Sequence, residues 1–339
     1  MKAWIIDKPL SMSLQEISEN ETLENSAKVK ITLLSLSAFD ARIYKGELTS
    51  VPFPVIPGRH AVGIISEIQE GNLLQRGQRV FIDSNLPCNN CYACKTDRPW
   101  KCDRMKVMGL TTGGLLRDFV SIPLSNLYQI PPQMTDSEAQ FIEHTSIAVK
   151  TFNELKPAEG EHIVIIGAST MGIIMAQLAL YYQAVPILLD HRQERLDIAK
   201  NLGIYYTVNT SSSDASERIK QITGGRYCEC SIFLASSYEN IQTAFNYASA
   251  GGRVAIVGGN RYAQGDMTGY AGGILSKQLS VVGITNGIKQ IPAAINVLAK
   301  KAVDISPFST KEFKFEEADL GFKELVENPS KYHKILIKV

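Results

Sequence analysis

His162-Ile163-Val164-Ile165-Ile166-Gly167-Ala168-Ser169-Thr170-Met171-Gly172 is the stretch on which the fold turns. Its first five residues are a short apolar run rich in β-branched side chains, which reads as a buried strand. Gly-Ala-Ser-Thr-Met-Gly interrupts the run, and an apolar helix is expected over Met171 to Gln183. Upstream, Lys156-Pro157-Ala158-Glu159-Gly160 reads as a turn. Downstream, PILLD (186–190) reads as a strand and Arg192 to Leu202 as a helix. CSIFLA (230–235) and GRVAIVG (252–258) read as further strands. Alternation of strand and helix predicts a parallel sheet with crossover helices. It ends near LSVVGITN (279–286), after which 291–300 reads as a helix and KILIKV (334–339) as a strand.

The first 150 residues have a different texture. KVKITLLSLS (28–37), AVGIISEIQ (61–69) and QRVFID (78–83) are β-like runs broken by Gly and Pro, the pattern of a partly open antiparallel barrel. If the terminal strand returns to this barrel, the parallel-sheet domain is an insertion. The expected division is therefore 1–150 with 286–339 for the β-rich domain and 151–285 for the α/β domain.

A strand, a Gly-bounded turn and a helix form a dinucleotide-binding arrangement. Gly167 permits the tight turn and Gly172 close packing of helix on strand. Ser169 stands where the usual pattern has its middle glycine, and Thr170 and Met171 open the helix whose N-terminus faces a pyrophosphate. Asp190 ends the next strand, 23 residues after Gly167. A carboxylate there accepts ribose hydroxyls and repels a 2′-phosphate, so NAD is the expected cofactor, with Arg195 in the same binding set. His191 and Arg192 beside it leave room for NADP.

Cys88, Cys91, Cys94 and Cys102 form C-x2-C-x2-C-x7-C, four thiols within 15 residues. Closely spaced soft ligands of this kind suit one tetrahedral zinc, and four thiolates leave no open position, so the ion is expected to be structural. Cys228 and Cys230 sit on an expected strand and read as core.

Composition excludes several classes. The 339 residues are 45% hydrophobic and 20% charged, with 35 basic against 34 acidic side chains. No basic excess suggests nucleic acid. Ile163 to Leu189 is long enough to resemble a membrane span, but GASTMG, Gln177, Gln183 and Pro186 interrupt it. No signal peptide is read at the N-terminus, so a cytoplasmic protein without membrane partners is the expectation.

With these motifs in hand, the chain resembles the zinc-containing medium-chain dehydrogenases/reductases, its polyol branch above all. The matching stretches are PGRHAVGIISEI (57–68), GQRVFIDSNLPCNNCYACKTDRPWKC (77–102), FIEHTSIAV (141–149), VIIGASTMGII (164–174), LLDHRQERLDIAKNLG (188–203) and GGRVAIVGG (251–259). The resemblance implies a GroES-like catalytic domain, a Rossmann domain within it, hydride transfer between NAD and a small alcohol, polyol, sugar or carbonyl compound, and a homodimer or homotetramer. It also implies a second, catalytic zinc, and here the chain departs. Ser37-Ala38-Phe39-Asp40 stands where the family has Cys-Gly-x-Asp, and Gly58-Arg59-His60 where it has Gly-His-Glu. Glu143-His144 matches the polyol branch's Glu-Pro, and Arg42 takes the place of a relay histidine. Serine is a poor zinc ligand and arginine offers no lone pair. The expected site is therefore a zinc-free one, with His60 as acid or base, Arg59 as fixed cation paired with Glu143, and Ser37 and Asp40 as a proton path. A neighbouring cation favours the neutral imidazole that such a base requires. Two other readings stay open: a non-catalytic NAD-binding paralogue or sensor, and a zinc enzyme with ligands relocated to His60, Glu143 and His144.

Overall fold

The computed structural model describes residues 1–18, 25–234, 241–258, 271–329 and 331–339. Ala235 and Gly259, which end two of the quoted stretches, lie outside them.

The chain divides into two compact units, 1–143 with 308–339 and 144–307. The sequence reading put the breaks at 150/151 and 285/286. A single helix, Ile142–Leu155, runs through the first break. At the second, the helix Ile291–Ala299 groups with the α/β unit.

The first unit is built on a seven-stranded sheet. Ser26–Leu36 lies at its middle, antiparallel to His60–Glu67, Phe119–Pro123 and the terminal strand Lys334–Lys338. The return of the terminal strand thus agrees with the reading of KILIKV. Arg79–Ile82 and Leu127–Gln129 continue the sheet on one side, and Thr310–Lys314 flanks the terminal strand on the other. Alternate apolar residues of these strands, among them Val29, Ile31, Ile65, Val80, Ile82 and Ile337, fill one core. An N-terminal hairpin, Lys2–Lys8 with Ser11–Glu16, adds Trp4 and Ile6 to it.

The second unit has a six-stranded parallel sheet. Its order runs Tyr206–Asn209, Val185–Asp190, His162–Ile166, Cys228–Leu234, Ala248–Val257, Ser280–Ile284. Near-continuous apolar strands are what a sheet covered on both faces requires. The helix Thr170–Tyr181 is buried over Gly172–Ala179, which accounts for the long apolar run without a membrane. No helix among the described residues is long and apolar enough to cross one. Cys228 and Cys230 are buried on their strand, as read.

Candidate active site and metal lobe

Asp190 and the glycine turn lie together at the ends of adjacent strands. Gly167 has φ +111°, and Ser169 N-caps the helix, its hydroxyl accepting from the Gly172 N–H at 3.3 Å. A Cβ on Gly172 would sit 1.9 Å from the Gly167 carbonyl oxygen, so only glycine fits. The Asp190 carboxylate accepts from the Ala168 N–H at 2.8 Å and from the Arg192 N–H and Nε at 2.9 and 3.2 Å. Burial alone pushes the Asp190 pKa up. The bonds from Arg192 and Ala168 outweigh it and leave the group below its ordinary value. The same carboxylate therefore braces the turn on which a pyrophosphate would rest. Arg195, on the following helix, has its pKa lowered by burial and by the Arg192 charge. The turn, the capped helix and the ionised Asp190 fit a dinucleotide.

Two short strands, Asn85–Leu86 and Lys106–Val107, pair at the base of the cysteine lobe. The four sulfurs lie within 4.8 Å of one another. A tetrahedron with Zn–S of about 2.3 Å has edges of about 3.8 Å, so the lobe fits one zinc. The Cys88 and Cys91 N–H groups point at the sulfurs of Cys102 and Cys88, each at 3.3 Å. Backbone donation from Asn90 and Cys91 lowers the Cys88 thiol to about 6, while burial and bonds from the neighbouring sulfurs raise Cys94 to about 12.

The third cluster lies wholly within the first unit. Ser37 N-caps the helix Ala38–Tyr44, and its N–H and hydroxyl both donate to Asp40 Oδ2, at 2.8 and 2.6 Å. Asp40 Oδ1 accepts from the Gly58 N–H at 3.3 Å. Gly58 holds φ +94°, and a Cβ there would meet Leu34 at 2.6 Å. This turn delivers Arg59 and His60 to the start of their strand. His60 Nε2 meets Glu143 Oε2, and an Arg59 terminal nitrogen lies 3.6 Å from Glu143 Oε1. The guanidinium also sits 5.1 Å over the Phe39 ring. Burial raises the Glu143 pKa, opposed by the charges of Arg59 and Lys334. Arg42 lies 3.4 Å from Glu47 and 6.0 Å over the same Phe39 ring. His144 follows Glu143 on the helix and is partly buried.

Two buried charges beside this cluster were not read from sequence. Asp83, next after the strand Arg79–Ile82, is pushed up to about 6 by burial, with the Glu143 charge adding to the rise. Lys334, at the start of the terminal strand, is 3% exposed. Their one signal is a charge bordering an apolar run, in VFID and in KILI. Among the described residues, the cysteine lobe is the one group of three or more His, Cys, Asp or Glu arranged to share an ion.

A barrel-like unit with a tetrathiolate lobe, and a parallel sheet with a glycine turn, define a two-domain dehydrogenase. Residues 24–132 match the alcohol dehydrogenase GroES-like domain, and residues 170–300 match the zinc-binding dehydrogenase domain. A zinc-type alcohol dehydrogenase-like protein of Haemophilus influenzae is 30% identical over 99% of this chain and 98% of its own. The starvation-sensing protein RspB of Escherichia coli K12 is 25% identical over 93% of each chain. The structure of RspB from E. coli CFT073, described as a short chain alcohol dehydrogenase complexed with cofactor NADH, superposes with a TM-score of 0.88. It is 26% identical, with 100% of this chain and 99% of that one covered. The chain belongs to the zinc-containing alcohol dehydrogenase family of oxidoreductases.

Proposed function

We propose that the protein is an NAD-dependent oxidoreductase that moves hydride between the nicotinamide and a small alcohol, polyol, sugar or carbonyl compound without a catalytic zinc. The observation that carries this reading is the convergence of His60 and Arg59 on the Glu143 carboxylate. Three of the four positions at which the family resemblance places zinc ligands thus meet as a charge cluster. The fourth, Ser37, is engaged with Asp40. The donor set does not suit zinc, because Arg59 brings a fixed cation to the shared carboxylate.

In this reading the contact of His60 Nε2 with Glu143 Oε2 orients the imidazole that handles the substrate proton. In alcohol oxidation the substrate hydroxyl proton passes to the His60 imidazole and the C–O bond becomes C=O as hydride leaves carbon. NAD, when bound, is the hydride acceptor. Arg59 offsets the negative charge that develops on the substrate oxygen. The Ser37 hydroxyl and Asp40 form the hydrogen-bonded pair that, through Gly58, carries the Arg59 turn. We assign Gly167, Ser169, Thr170, Met171, Gly172, Asp190 and Arg195 to the dinucleotide, with Asp190 favouring NAD over NADP. We assign Cys88, Cys91, Cys94 and Cys102 to one structural zinc. A homodimer or homotetramer completes the proposal; among the described residues the strand Ser280–Ile284 ends its sheet and offers a pairing surface, and the mass in solution tests it.

The test is nicotinamide absorbance with a panel of alcohols, polyols and ketones, for the wild type and His60→Gln. The variant is expected to lose about two to four powers of ten in turnover, the range for a general base, with NADH affinity little changed. Unchanged turnover in the variant overturns the role of His60. Tight NADH binding by the wild type, with no turnover of any panel member, favours a non-catalytic binder instead.

A further inference from the structure

The geometry points to an anionic substrate: a small 2- or 3-hydroxy acid whose carboxylate docks on the Arg59 guanidinium while its hydroxyl faces His60. The inference deepens the proposed hydride-transfer reading and rests on it.

Arg59 is a cation with unused donors. Its guanidinium carbon lies 5.1 Å over the Phe39 ring, and a ring face attracts the charge without serving the five N–H groups. Its ion-pair contact with Glu143 Oε1 is 3.6 Å, beyond hydrogen-bond reach. The other oxygen of that carboxylate meets His60 Nε2. Arg59 Nε is buried with no hydrogen-bond partner among the described residues. The buried carboxylates of Asp40 and Asp83 accept from Ser37, Gly58 and Asn85 instead. The Arg59 side chain is only 16% exposed, and enclosed donors without acceptors cost free energy. An arriving carboxylate would fill two of them at once, in the bidentate geometry that a guanidinium favours.

A second guanidinium shares the ring. Arg42 lies 6.0 Å over Phe39, and its side chain is 33% exposed. Its partner Glu47 also pairs with Lys45, so two cations divide one carboxylate there. Both arginines stand where the family resemblance has histidines, which exchanges two titratable groups for two permanent cations.

The place of the hydroxyl follows from Glu143. Arg59 and His60 approach the two oxygens of one carboxylate group, so the fork and the imidazole converge on one point. A hydroxyl at His60 therefore leaves the substrate's carboxylate one or two carbons away. In the oxidation the carbinol carbon gives hydride to NAD, the hydroxyl proton passes to His60, and the carboxylate is carried unchanged into the oxo acid.

The test is calorimetric binding to the full chain with NADH bound, so that no hydride can move. The ligands are matched pairs in which a carboxylate replaces CH2OH: glycerate against glycerol, 3-hydroxybutanoate against butane-1,3-diol, and gluconate against sorbitol. At least one acid is expected to bind about ten- to a hundredfold more tightly than its neutral parent, the range of charge-assisted hydrogen bonds. Arg59→Gln should erase that preference and Arg59→Lys should keep part of it. Arg42→Gln should cost about threefold and flatten the dependence on salt. Equal binding of every acid and its parent, or a preference that survives in Arg59→Gln, would overturn the inference. Glycerol 3-phosphate binding tenfold more tightly than any of the acids would overturn the carboxylate in favour of a phosphate. The wild-type comparison decides the matter even if Arg59→Gln does not fold. An acid preference in binding, with no change in nicotinamide absorbance for any acid or polyol supplied with NAD, would sink hydride transfer. Turnover of neutral polyols with no acid preference would sink this inference alone, so the two failures are distinguishable.

Discussion

Asp83 is 6% exposed, and its carboxylate accepts from the backbone and side-chain N–H groups of Asn85 at 2.9 and 2.7 Å. Burial still raises its pKa from 3.8 to about 6. A folded-state pKa above the unfolded one means that the folded chain binds the extra proton between those values. Stability then falls as pH rises through that window and is flat above it. A shift of this size corresponds to roughly 3 kcal/mol. Asp83→Asn keeps an acceptor for Asn85 and removes the charge. Its thermal midpoint is expected to match the wild type near pH 4 and to exceed it above about pH 6. Equal midpoints at both pH values in calorimetry would show that Asp83 ionises without cost. Neither Asp83 nor Lys334 was legible as a site residue. Periodicity reports the face of a strand, and a single charge at the end of a run looks the same whether it meets solvent or an enclosed partner. Arg59, His60 and Glu143 were legible because the residues around them fix their place in a known pattern. Their mutual distances, and the engagement of Ser37 with Asp40, required coordinates.

At the scale of elements, the strand–turn–helix at 162–172 is where sequence and structure agree most closely. Its signals are local: β-branched residues, two glycines and a capping serine. The turn also supplies a sharp test. Gly172→Ala places a methyl 1.9 Å from the Gly167 carbonyl oxygen, on backbone that must move. We expect a loss of about 2 kcal/mol or more in stability, the range of backbone strain and overpacking, and weaker NADH binding. Gly160→Ala is the control, since its Cβ would have no atom within 4 Å and only φ +78° stands against it. That variant should cost about 1 kcal/mol and leave NADH affinity alone. Equal effects of the two substitutions in unfolding and in NADH titration would contradict this account. The N-terminal hairpin, by contrast, carries little signal. Its reversal at Pro9–Leu10 places Leu10 at φ 61°, a conformation that glycine or asparagine would have announced and leucine does not.

For the whole molecule, division into a β-rich unit and an inserted parallel-sheet unit followed from texture alone, because period-two runs and strand–helix alternation differ over long stretches. The limits of each unit did not, since the helix Ile142–Leu155 continues across one of them without a break in pattern. The central claim also concerns the whole chain: one zinc per molecule, held away from the reacting groups, in a family named for zinc. Elemental analysis of the purified protein tests it most directly, run beside Cys94→Ser, which removes one of the four lobe ligands. The account predicts about one zinc per chain in the wild type, from tetrathiolate stoichiometry, and its loss in Cys94→Ser. Two zincs per chain, or one that stays at full occupancy in Cys94→Ser, would contradict it.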